Sequence, residues 1–399
     1  MIAIKEDKLN KYTEAIASRH EDRIRRVMEI TDQEVMEQLG AEEPEEISPD
    51  VLYDHFQSKP SSFYALTGFQ LKEFDMLWDH LASVFTVQTK GRKPKISPRD
   101  IVIIVLHYLR RYPRIEEMAA IFSLNPSTLQ SIIDKYIPKF AAVMKRDFID
   151  AAAQADLAYD QKFPNAPYVV DATVQEIYKP LSGVGEAFDS AKPFFSGKHY
   201  FYCIKSQVIV TVKGLAVSII TEIPGATNDK KVFDDHDDEL QELFKLHPNS
   251  PHMILADKGY QDSNSDIIIS PFKGKTSDLT REKLVFNQKL GEVRIIVENF
   301  FGRLKSRYEI MSSIYRCSHD HYTNIFILCC ALVNFEQIEC DHPLRNDDMR
   351  FYQRLQASIK QKKKEKEEKA KAKRIHQARL RRIIFGLDEE EHNEEDSDA

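Results

Sequence analysis

The chain has 399 residues, more than one typical domain, and its 42% apolar and 30% charged residues predict folded cores with a solvated surface. It lacks an apolar run long enough to cross a membrane, and its charged start is unlike a signal or transit peptide. The five cysteines lack the spacing of a disulfide framework, so we expect a soluble intracellular protein. The net charge of −7 would argue against a nucleic-acid partner only if the charge were evenly spread.

Charge is instead segregated along the chain. Acidic residues concentrate at 42–50 and after residue 387, whereas the stretches 90–95 and 360–382 are basic. The second basic stretch mixes Lys, Arg, Glu and Ala without an apolar stripe, so we expect a solvated helix or disorder that neutralises DNA phosphates. It also resembles a nuclear-import signal, which predicts a nuclear protein.

The helical pattern begins at Phe63. A helix is predicted from Ser97-Pro98, with Ser97 as N-cap, to just before Pro113. A second helix over Ile115 to Phe122, a short turn, and a third helix opened by Asn125-Pro126 follow. This layout is typical of a helix-turn-helix, and a plain three-helix bundle is the alternative.

After residue 150 the pattern changes to an alternation of strands and helices. A meander of three strands, then helix, strand, strand and helices, is the order of a ribonuclease-H-like α/β sheet. The predicted strands are 168–180, 201–214, 215–225, 252–256 and 266–270, and the predicted helices run from Asp229 to about Leu246, from near Asn287 through Ser312, and over 327–338.

Three acidic residues stand where this fold would bring them together. Asp171 lies inside an apolar strand, Asp257 directly follows a buried strand, and Glu298 lies among apolar residues of the long helix. Carboxylates from separate elements can hold two divalent cations about 3.5–4 Å apart for phosphodiester chemistry. Asp229 follows a Pro-Gly turn and is expected to cap a helix.

Residues 63–340 resemble the helical region and DDE endonuclease domain of Harbinger-type transposases. The matching pieces include Pro224-Gly-Ala-Thr-Asn-Asp229, Ala256-Asp-Lys-Gly-Tyr260 and Val293-Arg-Ile-Ile-Val-Glu-Asn-Phe-Phe-Gly-Arg-Leu-Lys305. The resemblance implies that Asp171, Asp257 and Glu298 form the catalytic triad and bind two Mg²⁺ or Mn²⁺ ions. It likewise implies that Asp229 lies near them, so a role as a further metal ligand is the alternative to helix capping. It also implies that full transposition needs a Myb-like DNA-binding partner.

Basic and polar side chains are expected to hold double-stranded DNA, although a solvated surface is an equally good reading of several of them. The candidates are Lys90, Arg92, Lys93 and Lys95 on the basic arm, Ser127, Thr128, Gln130, Ser131 and Lys135 on the second helix of the helix-turn-helix, and Lys198, His199, Arg294, Arg303 and Lys305 near the acidic site.

The sequence therefore predicts an α/β fold, with a ribonuclease-H-like mixed sheet and flanking helices preceded by an all-α helix-turn-helix region. The predicted divisions are an acidic, helical and partly disordered start at 1–62, the helical region at 63–150, the endonuclease domain at 155–345, and a charged helical or disordered tail at 346–399. The predicted function is a metal-dependent DNA endonuclease of transposase type. Two alternatives stay open: a non-catalytic DNA-binding or scaffold protein derived from a transposase, and a ribonuclease-H-like enzyme acting on RNA or hybrids.

Overall fold

The structure is a computed structural model that describes residues 51–85, 96–180, 191–250, 253–261 and 266–345, with separate positions between 348 and 378. The predictions for residues 1–50, for the acidic tail, and for Lys90, Arg92, Lys93 and Lys95 on the basic arm lie outside the described residues. Within those residues, no helix is both long and apolar enough to span a membrane.

The described residues between 51 and 154, called the helical segment below, form helices and turns, as the sequence predicts. Ser97 caps α4 by accepting a hydrogen bond from the Asp100 amide at 3.1 Å, with Pro98 in the first turn. Gly68, at a φ of 86°, separates α2 from α3 in a left-handed conformation that favours glycine. The helices are α1 Val51–Gln57, α2 Pro60–Thr67, α3 Leu71–Leu81, α4 Pro98–Arg111, α5 Ile115–Phe122, α6 Pro126–Met144 and α7 Ala151–Gln154.

Helices α5 and α6 are joined by a short turn over residues 123–125, and their assignment as a helix-turn-helix stays a prediction. The turn between them places Ser123 at a φ of 52°, and α6 continues through a π-helical turn over Lys145–Asp150 into α7. One face of α6 is buried, whereas the candidate DNA-facing side chains of Ser127, Gln130, Ser131 and Lys135 are exposed and that of Thr128 is half-buried. Their contact with DNA stays a prediction.

The sheet has the predicted mixed topology. Strand β1 pairs antiparallel with β3 and parallel with β5, β3 pairs antiparallel with β4 and with the short β2, and β5 pairs parallel with β6. Three antiparallel strands followed by two parallel ones, with helices around them, confirm the expected fold class. The strands are β1 Tyr168–Glu176, β2 Phe195–Ser196, β3 Phe201–Thr211, β4 Ala216–Pro224, β5 Ile254–Leu255 and β6 Ile268–Ile269.

Three predicted helices have different bounds in the structure, and the last of them begins at Tyr322 instead of residue 327. The helix expected over 229–246 is two helices, α8 Asp229–Asp235 and α9 Asp237–Lys245, because His236 leaves the helical conformation and its ring contacts the Val232 carbonyl. The long helix α10 spans Arg281–Arg307, not Asn287 to Ser312.

The side chain of Thr280 caps α10 by accepting from the Lys283 amide. Asn287 does not open the helix but holds the preceding loop, by hydrogen bonds with the Phe272 amide at 2.8 Å and carbonyl at 3.1 Å.

Helix α11, Tyr322–Ile338, joins the helical segment to the sheet. Its buried Asn334 accepts from the Ala216 amide of β4 and donates to the carbonyls of Ala216 and Phe148. One continuous apolar core runs from α1 through α11 to the face of the sheet that α10 covers. Because α10 is anchored along that core, its exposed positions are held at fixed places beside β1.

Candidate functional site

The strand register places Asp171 beside Asp257. Val169 of β1 lies opposite Leu255 of the parallel strand β5. Asp171 and Asp257, each two positions further along the chain, therefore lie side by side and point to the same face. Asp171 is mostly buried, with 20% of its side chain exposed, whereas Asp257, just past the end of β5, is 49% exposed. The two carboxylates are therefore neighbours, with Asp171 inside β1 and Asp257 just past the end of β5.

Arg294 of α10 bridges these two carboxylates. Its Nη2 lies 3.2 Å from Asp171 Oδ2 and its Nη1 lies 3.6 Å from Asp257 Oδ1, with only 11% of its side chain exposed. The guanidinium partly offsets the repulsion between the carboxylates, but burial outweighs it and raises the pKa of Asp171 from 3.8 to about 6. Arg294 thus acts as an internal cation between the two acids.

Glu298 lies one helical turn after Arg294 on α10 and is half-buried. Burial raises the pKa of Glu298, the charge of Arg294 lowers it, and the charge of Asp257 raises it. Asp257 therefore influences both Asp171 and Glu298, and Arg294 offsets the charge of each.

Asp229 does not have the expected helix-capping role, because Asn228 accepts from the Lys230 amide and caps α8 instead. The Asp229 carboxylate accepts a hydrogen bond from Lys205 Nζ at 2.6 Å. It also lies against Gly259, where an added Cβ would come within 3.2 Å of Asp229 Oδ2. Asp229 is therefore a fourth carboxylate packed against the turn that carries Asp257.

Lys205 and Tyr260 belong to this site but are absent from the predicted set. Lys205 is a buried cation of β3 that fixes Asp229 and also donates to the Thr227 carbonyl at 2.6 Å. The hydroxyl of the buried Tyr260 donates to Gln207 at 3.2 Å. Lys205 is a charged residue within an apolar strand, as Asp171 is. The sequence could therefore have identified Lys205 by the same criterion.

The predicted basic rim divides into exposed and buried residues. Lys198 is exposed and His199 half-buried; burial, followed by the charge of Lys198, lowers the pKa of His199 to about 4. Arg303 and Lys305 are both buried, so their predicted place on a DNA-facing rim is wrong. Arg303 binds the Pro343 carbonyl and Asp348, and Lys305 Nζ donates to the Val174 carbonyl of β1 at 2.7 Å.

Burial lowers the pKa of Lys305 from 10.5 to about 8, so the folded state binds this proton less tightly than the unfolded chain. The resulting loss of stability is complete below about pH 8 and disappears as the pH rises towards 10.5. Lys305→Met removes a penalty on the order of 2 kcal/mol and a hydrogen bond worth about 1 kcal/mol. We therefore expect about 1 kcal/mol of net stabilisation at pH 7 and a loss of that advantage at pH 10, measured by urea unfolding. The exposed Lys245→Met is the control, and equal destabilisation of Lys305→Met at both pH values would contradict this account.

The carboxylates suit a hard divalent cation, because they offer only oxygen ligands from separate elements and already converge on one positive group. Among the described residues, no three His, Cys, Asp or Glu side chains stand close enough to form a finished metal site. Arg294 lies between Asp171 and Asp257, so a metal ion bound by both would have to take the place of its guanidinium.

Residues 170–334 match the family model described as DDE superfamily endonuclease. This range begins beside Asp171, includes Asp257 and Glu298, and ends on α11. All three predicted acids therefore lie within the matched range. The match does not distinguish the Harbinger type, which stays a prediction.

Over 286 residues the chain is 26% identical to a protein named probable transposase for insertion sequence element IS702 from Microchaete diplosiphon. That match covers 69% of this chain and 94% of the relative. The crystal structure of the Mos1 mariner paired end complex with Mn aligns with 9% identity and a TM-score of 0.18, covering 77% of this chain and 96% of that one. So low a TM-score carries no argument about this chain.

Proposed function

We propose that this chain is a metal-dependent DNA endonuclease of transposase type. The observation that carries the proposal is the pairing of Asp171 and Asp257 with Arg294, one helical turn before Glu298, within the range that matches DDE superfamily endonucleases. The similarity to a probable transposase over most of that relative's length supports the same class of reaction.

In this proposal Asp171, Asp257 and Glu298 hold two Mg²⁺ or Mn²⁺ ions, with Asp229 as a further oxygen ligand. Such ions activate a water or a 3′-hydroxyl and stabilise the leaving oxygen of an in-line displacement. Lys205 keeps the Asp229 carboxylate beside Gly259, and the buried sheet holds Asp171 in place. Arg294, released from the carboxylates, is then placed to bind a DNA phosphate.

Double-stranded DNA is the proposed substrate. It is held by the exposed face of α6 and by Lys198 and His199 near the acidic residues. Three further parts rest on the sequence alone. The basic stretch 360–382 supports residence in the nucleus. The resemblance to Harbinger-type transposases supports both that subtype and a Myb-like partner for complete transposition.

The test is a nicking assay with supercoiled plasmid and labelled duplex, in Mn²⁺ or Mg²⁺ and with EDTA as control. We expect nicks in both metals and none in EDTA. Duplex DNA that is bound but never cut would favour the non-catalytic DNA-binding alternative. Preferential cutting of RNA or RNA–DNA hybrid duplexes of the same sequence would favour the ribonuclease alternative.

A further inference from the structure

A cavity of about 540 Å³ lies apart from the acidic residues, at the beginning of α10. One wall is the loop before β1 from Lys162 to Asn165, a second is Ile269 of β6, and the third is the first turns of α10. Its volume lies within the range of small-molecule sites, about 300–1,000 Å³. None of the acidic-site residues lines it.

The walls offer apolar and aromatic surface to solvent. Phe163 and Phe286 meet edge-to-face with ring centroids 5.7 Å apart, and Phe272 packs against Phe286 at 5.2 Å. Val285 in the wall remains 43% exposed, and Phe272, which packs on Phe286 but does not line the cavity, is 40% exposed. Apolar side chains left exposed together around a cavity are typical of a surface that binds a flat or apolar group.

The same cavity carries three cations, Lys162, Arg281 and Lys289, against the single lining acid Glu282. Within the part of the chain that the structure describes, neither Arg281 nor Lys289 forms a salt bridge. Lys162 pairs with Glu292 at 2.6 Å, but both side chains are more than 40% exposed, and such surface pairs add little stability. An anionic ligand would therefore bind these cations without the loss of a strong ion pair.

We propose that this cavity binds one unstacked nucleotide of a DNA strand. Its base contacts Val285 and Phe286, whose ring packs against the buried Phe163, and its flanking phosphates contact the three cations. Aromatic surface with adjacent cations is the combination that holds single-stranded nucleic acid. An apolar peptide would use the walls but would provide no anionic partner for Arg281 and Lys289.

The position of the cavity favours a strand over a free nucleotide. Phe286 precedes Arg294 by eight residues of one continuous helix, which is about 12 Å along its axis. That distance corresponds to about four stacked nucleotides at 3.4 Å each. The argument from the distance to Arg294 rests on the proposed function. Binding of single-stranded DNA by the cavity does not require cleavage.

The experiment measures anisotropy of a labelled strand of about ten thymidines, and of its duplex, with the full chain in EDTA. Arg281→Glu and Lys289→Glu are compared with Lys245→Glu, an equal charge reversal on the exposed surface of α9. We expect about tenfold weaker single-strand binding for each cavity variant and less than a twofold change for the control. Unchanged binding in the cavity variants, or an equal loss with single strand and duplex, overturns the proposal.

An oligonucleotide with one abasic position separates base binding from phosphate attraction. We expect the missing base to weaken binding to the unaltered protein about tenfold at its best position, and to make little difference with Val285→Asp. Thermal unfolding by circular dichroism identifies a variant that fails to fold, and Val285→Ser, which shortens the wall without adding charge, then replaces it. A chain that passes these binding tests but never nicks DNA would refute the proposed nuclease and leave the nucleotide site standing.

Discussion

Asp171→Asn is expected to abolish metal-dependent nicking, by on the order of a thousandfold or more, without unfolding the protein. A carboxylate that binds the catalytic metals stabilises the transition state by several kcal/mol, and each 1.36 kcal/mol corresponds to a factor of ten in rate. Asp257→Asn is expected to lose as much activity, whereas Asp238→Asn, on the exposed face of α9, is the control that keeps it.

The metal-free stability of the same variant tests the electrostatics independently of activity. Because burial raises the pKa of Asp171 from 3.8 to about 6, the folded state binds this proton more tightly than the unfolded chain. Stability is therefore lost as the pH rises from about 4 to about 6. Asp171→Asn should unfold at the same or higher urea concentration than the unaltered protein at pH 7 in EDTA, and this advantage should disappear at pH 4.

Metal binding provides a third measurement. Adding Mn²⁺ should raise the melting temperature of the unaltered protein, because a ligand that binds only the folded state stabilises it. The rise should be absent in Asp171→Asn and larger in Arg294→Gln, which removes the competing guanidinium from between the carboxylates. Nicking and a Mn²⁺-dependent rise retained in Asp171→Asn would show that this residue is not a metal ligand.

Glu336→Ala is expected to have the largest effect on stability. The Glu336 side chain on α11 is only 3% exposed and accepts from Arg307 at 2.8 and 2.9 Å and from the Tyr308 hydroxyl at 3.4 Å. Arg307 also binds the Gly68 carbonyl at 2.7 Å and the Tyr64 hydroxyl at 3.1 Å, and so ties α10 to the helical segment. Removing the carboxylate leaves a buried, uncompensated guanidinium, at a cost of about 3–5 kcal/mol.

Urea unfolding followed by the fluorescence of Trp78, the single tryptophan, reports this loss from within the helical segment. Glu336→Gln keeps an acceptor oxygen and should cost less than Glu336→Ala. The double variant Arg307→Met with Glu336→Leu should recover most of the stability, because buried ion pairs can often be replaced by apolar pairs. A loss below about 1 kcal/mol in Glu336→Ala would mean that water reaches the pair and screens it.

Local features of the sequence were sufficient to predict most elements. Ser97-Pro98 marked the start of α4 and the apolar, β-branched residues marked β1, because capping and strand propensity are properties of a few neighbouring residues. The predicted start of the long helix near Asn287 was wrong because that prediction also used only neighbouring residues. Asn287 has the chemistry of a helix cap, but its partner is the backbone of Phe272, fifteen residues earlier in the chain.

What the sequence by itself determined is the fold class and the presence of three acids on the right kinds of element. Only the tertiary structure decided that Arg294 lies between Asp171 and Asp257, that Lys205 holds Asp229, and that Arg303 and Lys305 are buried. Arg303 and Lys305 were predicted to lie on a DNA-facing or solvated surface, but α10 is covered along its C-terminal half by β1 and by the chain that follows α11. Burial and ion pairing depend on partners distant in sequence, and single-chain periodicity contains no information about which partner will cover a given face.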